Sequence, residues 1–396
     1  MKWLIIVPLV LWAYYIYIPL PDGAAEANKQ RIPALMLRIM DDAATVGSLF
    51  GFSKIGILKS FTNGVLLAAK ALHPKSPVVE TTDTSFDGIP VRIYTPKSAT
   101  KKLRSAVIYI HGGGWTLLSV DGYDPFTRDL AKTSDSIVIS VEYRLAPEYI
   151  FPAAFDDCVK ATKHFLNNAA VFGADSTKVG IAGDSAGGNL AMAVSLKLGK
   201  EQFIPKLNFQ GLIYPALQAM DYNLSSYREF DFSMRNTYTP VTKIGMISYY
   251  NLYGFGDLRY LKYFWDNTHT TRAFKIKYRG RVDPNVLTGK SKMQPDDDNS
   301  HENVQVALEI ENIISNPYFA PLMATDDELK LLPKTYLLTA EYDGLRDEGM
   351  ILGHRLRKIN HSLMYKHWDG MEHGFMIFSF YDSYRTGIDE LSSYIK

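Results

Sequence analysis

Apolar residues along this chain fall into two rhythms. After Val78, short runs rich in β-branched residues recur at Ala106–Ile110, Ser136–Val141, Lys178–Ala182, Gly211–Tyr214, Thr335–Ala340 and Leu363–His367. Each is too short for a helix, and their alternation with helical stretches is the pattern of strands in a sheet covered on two sides. Between them, Phe155–Leu166, Ala186–Leu198 and Leu345–Ile359 space their apolar positions three and four residues apart, as helices do. The alternation predicts an α/β fold class, with a mostly parallel central sheet flanked by helices. Residues 28–72 read as helices apolar on one side, with Gly47, Gly51, Gly56 and Gly64 as breaks.

One interval departs from the rhythm. From Tyr214 to Thr335 there is far more chain than a crossover needs. An insertion at about 218–320, covering one end of the sheet, is expected there. It carries an aromatic stretch from Tyr249 to Asp266, which suits either the packed core of the insertion or a surface facing substrate or membrane. It also carries Asp296, Asp297 and Asp298, which lack the glycine and spaced oxygens of a calcium loop and read as a solvated run.

The N-terminus has a third pattern, with no charge between Lys2 and Asp22. As a helix, Trp3–Leu20 would span roughly 27 Å, close to a bilayer core. Trp3, Trp12, Tyr14, Tyr15 and Tyr17 suit interfacial positions, and Pro8 is tolerable in a membrane helix. Signal anchor, cleaved signal and buried core helix are the three readings. Ala25 and Ala27 make a poor cleavage site behind Leu20-Pro21-Asp22, which favours an uncleaved anchor over residues 1–21. Lys2 before the span, and Asp22 and Glu26 just after it, favour a cytosolic N-terminus. The expectation is a single-pass type II protein of the endoplasmic reticulum membrane, with residues 22–77 a helical cap or linker and 78–396 a luminal catalytic domain. Asn223-Leu224-Ser225 and Asn360-His361-Ser362 are candidate glycosylation sites.

Composition narrows the partners. With 43 Lys and Arg against 42 Asp and Glu, the net charge of +1 lacks the footprint of a nucleic-acid binder. Hydrophobic content of 46% against 21% charged excludes wholesale disorder. The lone Cys158 rules out an intrachain disulfide and a cysteine-built zinc site.

The chemistry lies at the strand ends. Gly183-Asp184-Ser185-Ala186-Gly187 follows one predicted strand and opens a predicted helix, the setting of a nucleophile elbow. His111-Gly112-Gly113-Gly114-Trp115 follows another, where glycine amides can approach a reacting carbonyl and, with the amide of Ala186, stabilise an oxyanion. A serine needs a general base. Of nine histidines, His373 lies on a loop beyond the last predicted strand, with His367 the alternative. Asp343 follows Thr335–Ala340 most closely and is the expected orienting acid, while Asp347 and Glu348 fall in the first turn of the next helix. The order Ser185, Asp343, His373 is that of an α/β-hydrolase.

On HGGGW at His111, YRLAPE at Tyr143, GDSAGG at Gly183, YDGLRDEG at Tyr342 and EHGF at Glu372, the chain resembles the hormone-sensitive-lipase-like α/β-hydrolases. Within them it is most similar to the arylacetamide deacetylase-like membrane esterases, over essentially its whole length. The resemblance implies an α/β-hydrolase fold with a helical cap and a membrane anchor. It implies Ser185 as nucleophile, His373 as base, Asp343 as its partner, and Gly113, Gly114 and Ala186 as oxyanion donors in a loop shared with His111 and Gly112. Tyr143–Glu148 is expected to form a buried Arg144–Glu148 structural cluster. No metal or cofactor is implied, and the expected substrates are lipophilic acyl esters or arylacetamides. The rivals are a sterol-ester or neutral lipid hydrolase and a non-catalytic receptor-like module on the same fold, which should have lost its nucleophile or base.

Overall fold

The computed structural model describes residues 2–72, 77–98, 102–230, 239–287 and 302–396. Its centre is one eight-stranded sheet in the order β1-β2-β4-β3-β5-β6-β7-β8. The strands are β1 (Val79–Phe86), β2 (Ile89–Pro96), β3 (Arg104–Ile110), β4 (Ile137–Val141), β5 (Ala174–Asp184), β6 (Phe209–Ile213), β7 (Lys334–Tyr342) and β8 (Leu363–Glu372). β1 and β2 pair antiparallel with their neighbours, and every pair from β4 onward is parallel.

Fourteen helices are described: α1 (Lys2–Ile16), α2 (Ala27–Leu49), α3 (Lys54–Leu72), α4 (Val120–Ser134), α5 (Ala153–Asn168), α6 (Ala186–Lys200) and α7 (Ser225–Glu229) precede α8 (Lys243–Phe255), α9 (Leu261–Trp265), α10 (Arg272–Tyr278), α11 (Val304–Ile314), α12 (Asp326–Leu329), α13 (Arg346–Lys358) and α14 (Asp382–Ile395). Alternation along β3 explains the two cores. Val107 and Tyr109 face α4 and α14 through Phe126, Leu130 and Leu391. Ala106, Ile108 and Ile110 face α5, α6 and α13 through Phe165, Leu190 and Leu352.

The six strands expected from apolar runs are all present, with ends displaced by up to five residues. β1 and β2 had no such signal: β1 reads VETTDTSF and buries only its two terminal residues. In residues 28–72 one break occurs, around Gly51, where φ is +84°. Gly47, Gly56 and Gly64 lie inside α2 and α3, where an apolar face packed against a neighbour outweighs a glycine's roughly 1 kcal/mol penalty.

Between β6 and β7 the chain forms α7 to α12. The aromatic stretch is mainly core there. Tyr250, Tyr253 and Phe264 are fully buried, and Tyr253 stacks on Trp115 with centroids 4.6 Å apart. Asp296, Asp297 and Asp298 lie outside the described residues. Among the described residues no helix is long and apolar enough to cross a membrane. α1 is fastened to α2, where Tyr15 Oη donates to Asp42 Oδ2 at 2.9 Å and Arg38 donates to the Tyr17 carbonyl at 3.2 Å.

The Arg144–Glu148 cluster does not form. Arg144 is half exposed and pairs instead with the buried Asp157 at 2.7 Å, at the start of α5. Glu148 points outward and pairs with Lys59 of α3 at 2.7 Å. Two charges four residues apart cannot be presumed partners when the segment is not a helix.

Candidate active site

The candidate residues gather at the C-terminal edge of the sheet. β5 ends at Asp184 and α6 begins at Ala186, so Ser185 must turn the chain through one residue. It does so at φ 55°, ψ −121°, a conformation that L-residues rarely adopt. The strained turn is fixed on three sides. Ser185 N donates to the Ile213 carbonyl at 2.9 Å, and its own carbonyl accepts from Asn189 N at 3.1 Å and Ala216 N at 3.2 Å. A Cβ on Gly183 would stand 2.4 Å from the Gly187 carbonyl oxygen, and one on Gly187 would stand 2.0 Å from that of Ile110. The small residues around the serine are therefore demanded by strand–helix contact.

His373 lies just beyond β8 and Asp343 just beyond β7. His373 Nδ1 meets Asp343 Oδ2 at 2.8 Å, with both residues buried. The other oxygen of Asp343 accepts from Leu345 N at 2.8 Å, so the carboxylate cannot swing away. The His373 ring also packs on Tyr214, centroids 4.4 Å apart. Ser185, His373, Gly113 and Gly114 line one cavity of about 200 Å³, roofed by Met36, Leu37, Met40, Phe61 and Val65 from α2 and α3. Tyr249 is the member of the aromatic stretch that reaches it, its ring filling the space a side chain at Gly114 would need.

The glycine loop divides its labour. Gly113 (φ +110°) and Gly114 (φ +60°) face the cavity. Gly112 does not offer its amide to the cavity: that N–H is given to Asp184 Oδ1 at 3.1 Å and Tyr123 Oη at 3.2 Å. His111 lies beneath, its ring against Tyr143 and its Nδ1 2.8 Å from the Gly112 carbonyl. Burial pulls the His111 pKa down to about 4, so it is neutral and supports the turn.

The remaining candidates are placed elsewhere. His367 lies within β8 and hydrogen-bonds Thr339 at 2.9 Å, away from the cavity lining. Asp347 accepts from Ser226 N at 2.8 Å and Ser225 Oγ at 2.5 Å. Glu348 accepts from the amides of Leu217 and Gln218 and from Tyr227 Oη. Both carboxylates thus sit in the first turn of α13, as expected, but they hold the start of the β6–β7 insertion. Asp184 was not singled out by sequence. Its signal was available: a charged residue beside the nucleophile, at the end of an otherwise apolar strand.

Comparisons with known proteins agree with this architecture. A family described as an alpha/beta hydrolase fold matches residues 107–259 and 286–377. Arylacetamide deacetylase of Bos taurus is 37% identical over 385 residues, covering 94% of this chain and 92% of that protein. Neutral cholesterol ester hydrolase 1 of Bos taurus is 34% identical over 400 residues, covering 98% and 96%. Among solved structures, an esterase of Pyrobaculum calidifontis superposes with a TM-score of 0.64 at 28% identity, covering 86% of this chain and 92% of that one.

Proposed function

The chain belongs to the α/β-hydrolase family, and on that premise we propose that it is a serine hydrolase of lipophilic carboxylic esters, with Ser185 as nucleophile, His373 as base and Asp343 as the orienting acid. The observation that carries the reading is the 2.8 Å Asp343–His373 contact in the wall of the cavity that holds the strained Ser185. His373 accepts the Ser185 proton as Oγ attacks the carbonyl carbon. Asp343 keeps the proton on Nδ1, so that Nε2 is the basic nitrogen, and stabilises the imidazolium that forms. The amides of Gly113, Gly114 and Ala186 receive the oxyanion, the last at the N-terminus of α6, where the helix dipole also favours negative charge. The imidazolium then protonates the leaving group. Water, activated by the same histidine, releases the acid from Ser185.

The substrate class follows from the walls. Met36, Leu37, Met40, Phe61 and Val65 offer apolar surface and no charge, which suits an uncharged acyl chain. Arylacetamides and cholesterol esters, named for the two relatives, are the amide and ester ends of the range to test. A fluorophosphonate probe should label the wild type and spare Ser185→Ala; equal labelling of both removes Ser185 from its role. Hydrolysis of matched ester and amide pairs across an acyl-length series then sets the preference.

Residues 1–21 are proposed as an uncleaved anchor, 22–77 together with about 218–320 as the cap, and 78–396 as a catalytic domain in the endoplasmic reticulum lumen. The uncharged stretch from Trp3 and the exposed apolar side chains of α1, among them Val10 at 61% and Trp12 at 62%, support the anchor. Asn360 is exposed and Asn223 half-buried; both are proposed glycan acceptors. Carbonate-resistant, protease-protected protein in sealed microsomes, with glycosidase sensitivity lost in Asn223→Gln/Asn360→Gln, is the expected result. A soluble, unglycosylated product would sink this topology.

A further inference from the structure

The mechanism above leaves unused the buried carboxylate beside Ser185. Asp184 directly precedes Ser185 and is only 3% exposed. Each of its three hydrogen-bond donors is neutral: Tyr109 Oη at 2.8 Å, Tyr123 Oη at 2.7 Å and the amide of Gly112 at 3.1 Å. Burial pushes its pKa upward, and these donors, with the nearby His373, oppose that shift. A carboxyl group without a cationic partner is an expensive thing to bury, and a fold that needed only packing here would do better with an apolar side chain.

The donors share a location. Tyr109 is on β3, immediately before the glycine loop. Gly112 is in the loop, and Tyr123 is on α4, immediately after it. Tyr123 Oη closes the arrangement by also accepting from Gly112 N at 3.2 Å. The fit leaves no room for adjustment: a Cβ on Gly112 would lie 2.5 Å from Asp184 Oδ2 and 2.9 Å from the Asp184 carbonyl oxygen. The nucleophile and the oxyanion loop come from strands 75 residues apart, and Asp184 joins the two.

We propose that Asp184 is a positioning residue for the oxyanion hole: its carboxylate pins the Gly112 amide so that the amides of Gly113 and Gly114 face the carbonyl held over Ser185. The inference rests on the assignment of Ser185, Asp343 and His373. Orientation of oxyanion donors matters because they act only if already in place when the charge develops.

The test separates contact from charge in the full-length enzyme, using a short-chain aryl ester. Asp184→Ala removes both, and kcat should fall about 100-fold, the size of losing one oxyanion donor, with KM little changed. Asp184→Asn keeps an acceptor for Gly112, because Tyr123 can turn its hydroxyl to accept from the new amide. It should recover most of kcat. A trifluoromethyl ketone, which captures Ser185 as a tetrahedral oxyanion, should bind Asp184→Ala more weakly in the same proportion as kcat/KM falls. The corresponding carbinol, with no oxyanion to stabilise, should bind as before. Tyr123→Phe, which loosens the same carboxylate without deleting it, should show the same pattern at about tenfold, and it decides the matter if Asp184→Ala does not fold. A folded Asp184→Ala with kcat within threefold of wild type, equal impairment of Asn and Ala variants, or equal weakening of ketone and carbinol would overturn the proposal. Ser185→Ala is the control for the underlying reading: if it stays active, that reading fails, whereas an inactive Ser185→Ala beside an unimpaired Asp184→Ala sinks only the role of Asp184.

Discussion

On the floor of the cavity, Gly113 and the glycines flanking Ser185 are set by backbone approaches closer than 3 Å, Gly114 is closed by the Tyr249 ring, and His373 is held by the fixed carboxylate of Asp343. The roof is made differently: α2 and α3 supply Met36, Leu37, Met40, Phe61 and Val65, side chains held by apolar contact and free of directional bonds to the floor. Methionine is unbranched and adapts its shape, whereas a left-handed glycine between two strand ends admits no substitute. On the proposed reading, the floor sets which bond is cleaved and the roof sets which acyl group fits. Substitutions on the two surfaces should differ in kind as well as in size.

The largest effect belongs to the floor. Ser185→Ala should lower turnover by roughly 10⁴–10⁶, leaving the small rate that oxyanion binding alone supports. A phosphonate-titrated preparation distinguishes that residue of activity from contaminating wild type. Next comes the orienting acid. Asp343→Asn should cost roughly 10⁴ in kcat through the wrong imidazole tautomer, with the melting temperature close to wild type. Asp347→Asn, in the same loop-to-helix segment, loosens Ser225 and Ser226 and should lower the melting temperature while sparing most of the activity. The opposite pattern would exchange the roles of the two aspartates.

In the first turn of α13, holding the start of the β6–β7 insertion, sits Glu348. Burial raises its pKa from 4.5 to about 7, against the donors from Tyr227, Leu217 and Gln218. The folded state thus holds this proton more tightly than the unfolded chain does. Its stabilising contribution is complete below 4.5 and is lost as pH rises through about 7. The shift corresponds to about 3 kcal/mol, so wild type should lose that much stability relative to Glu348→Gln between mildly acidic and mildly alkaline pH. Parallel denaturation curves for the two proteins across that range would show the linkage absent. The smallest effect belongs to the roof. Val65→Phe fills the cavity and should lower kcat/KM for long acyl esters about tenfold while leaving acetate esters unchanged. An equal loss on both would mean that the roof shapes the chemistry after all.

The same contrast governs what could be read from sequence. The floor was legible because its geometry forces particular residues: a glycine run after Ile110, and a serine between small residues after Ala182. The inner strands were legible because burial on both faces leaves a continuous apolar run. β1 escaped because six of its eight residues are not buried, and α4 because Gly122 and Pro125 interrupt its helical signal. The contacts of Arg144 and Glu148 were illegible for another reason. Their partners, Asp157 and Lys59, lie on separate helices, and a charge does not carry the address of its partner. Asp184 was hidden by the motif it belongs to, since the serine beside it draws the reading.

Residues 25–30 meet residues 370–383 beside His373. Ala25 N donates to the Gly370 carbonyl at 3.0 Å, and Gln30 Nε2 reaches the same carbonyl at 2.8 Å and Glu372 Oε2 at 2.5 Å. Glu26 accepts from Ser383 N at 2.8 Å, 357 positions away. Closing so long a loop is thermodynamically modest, since each doubling of length adds only about 0.6 kcal/mol. Its consequence lies in time. At roughly 5–20 residues per second, the first residues made must wait tens of seconds for the last before the loop bearing His373 has both its sides. A nascent chain stopped before Gly370 carries Ser185, the glycine loop and the roof, yet it lacks both His373 and the loop that residues 25–30 clasp.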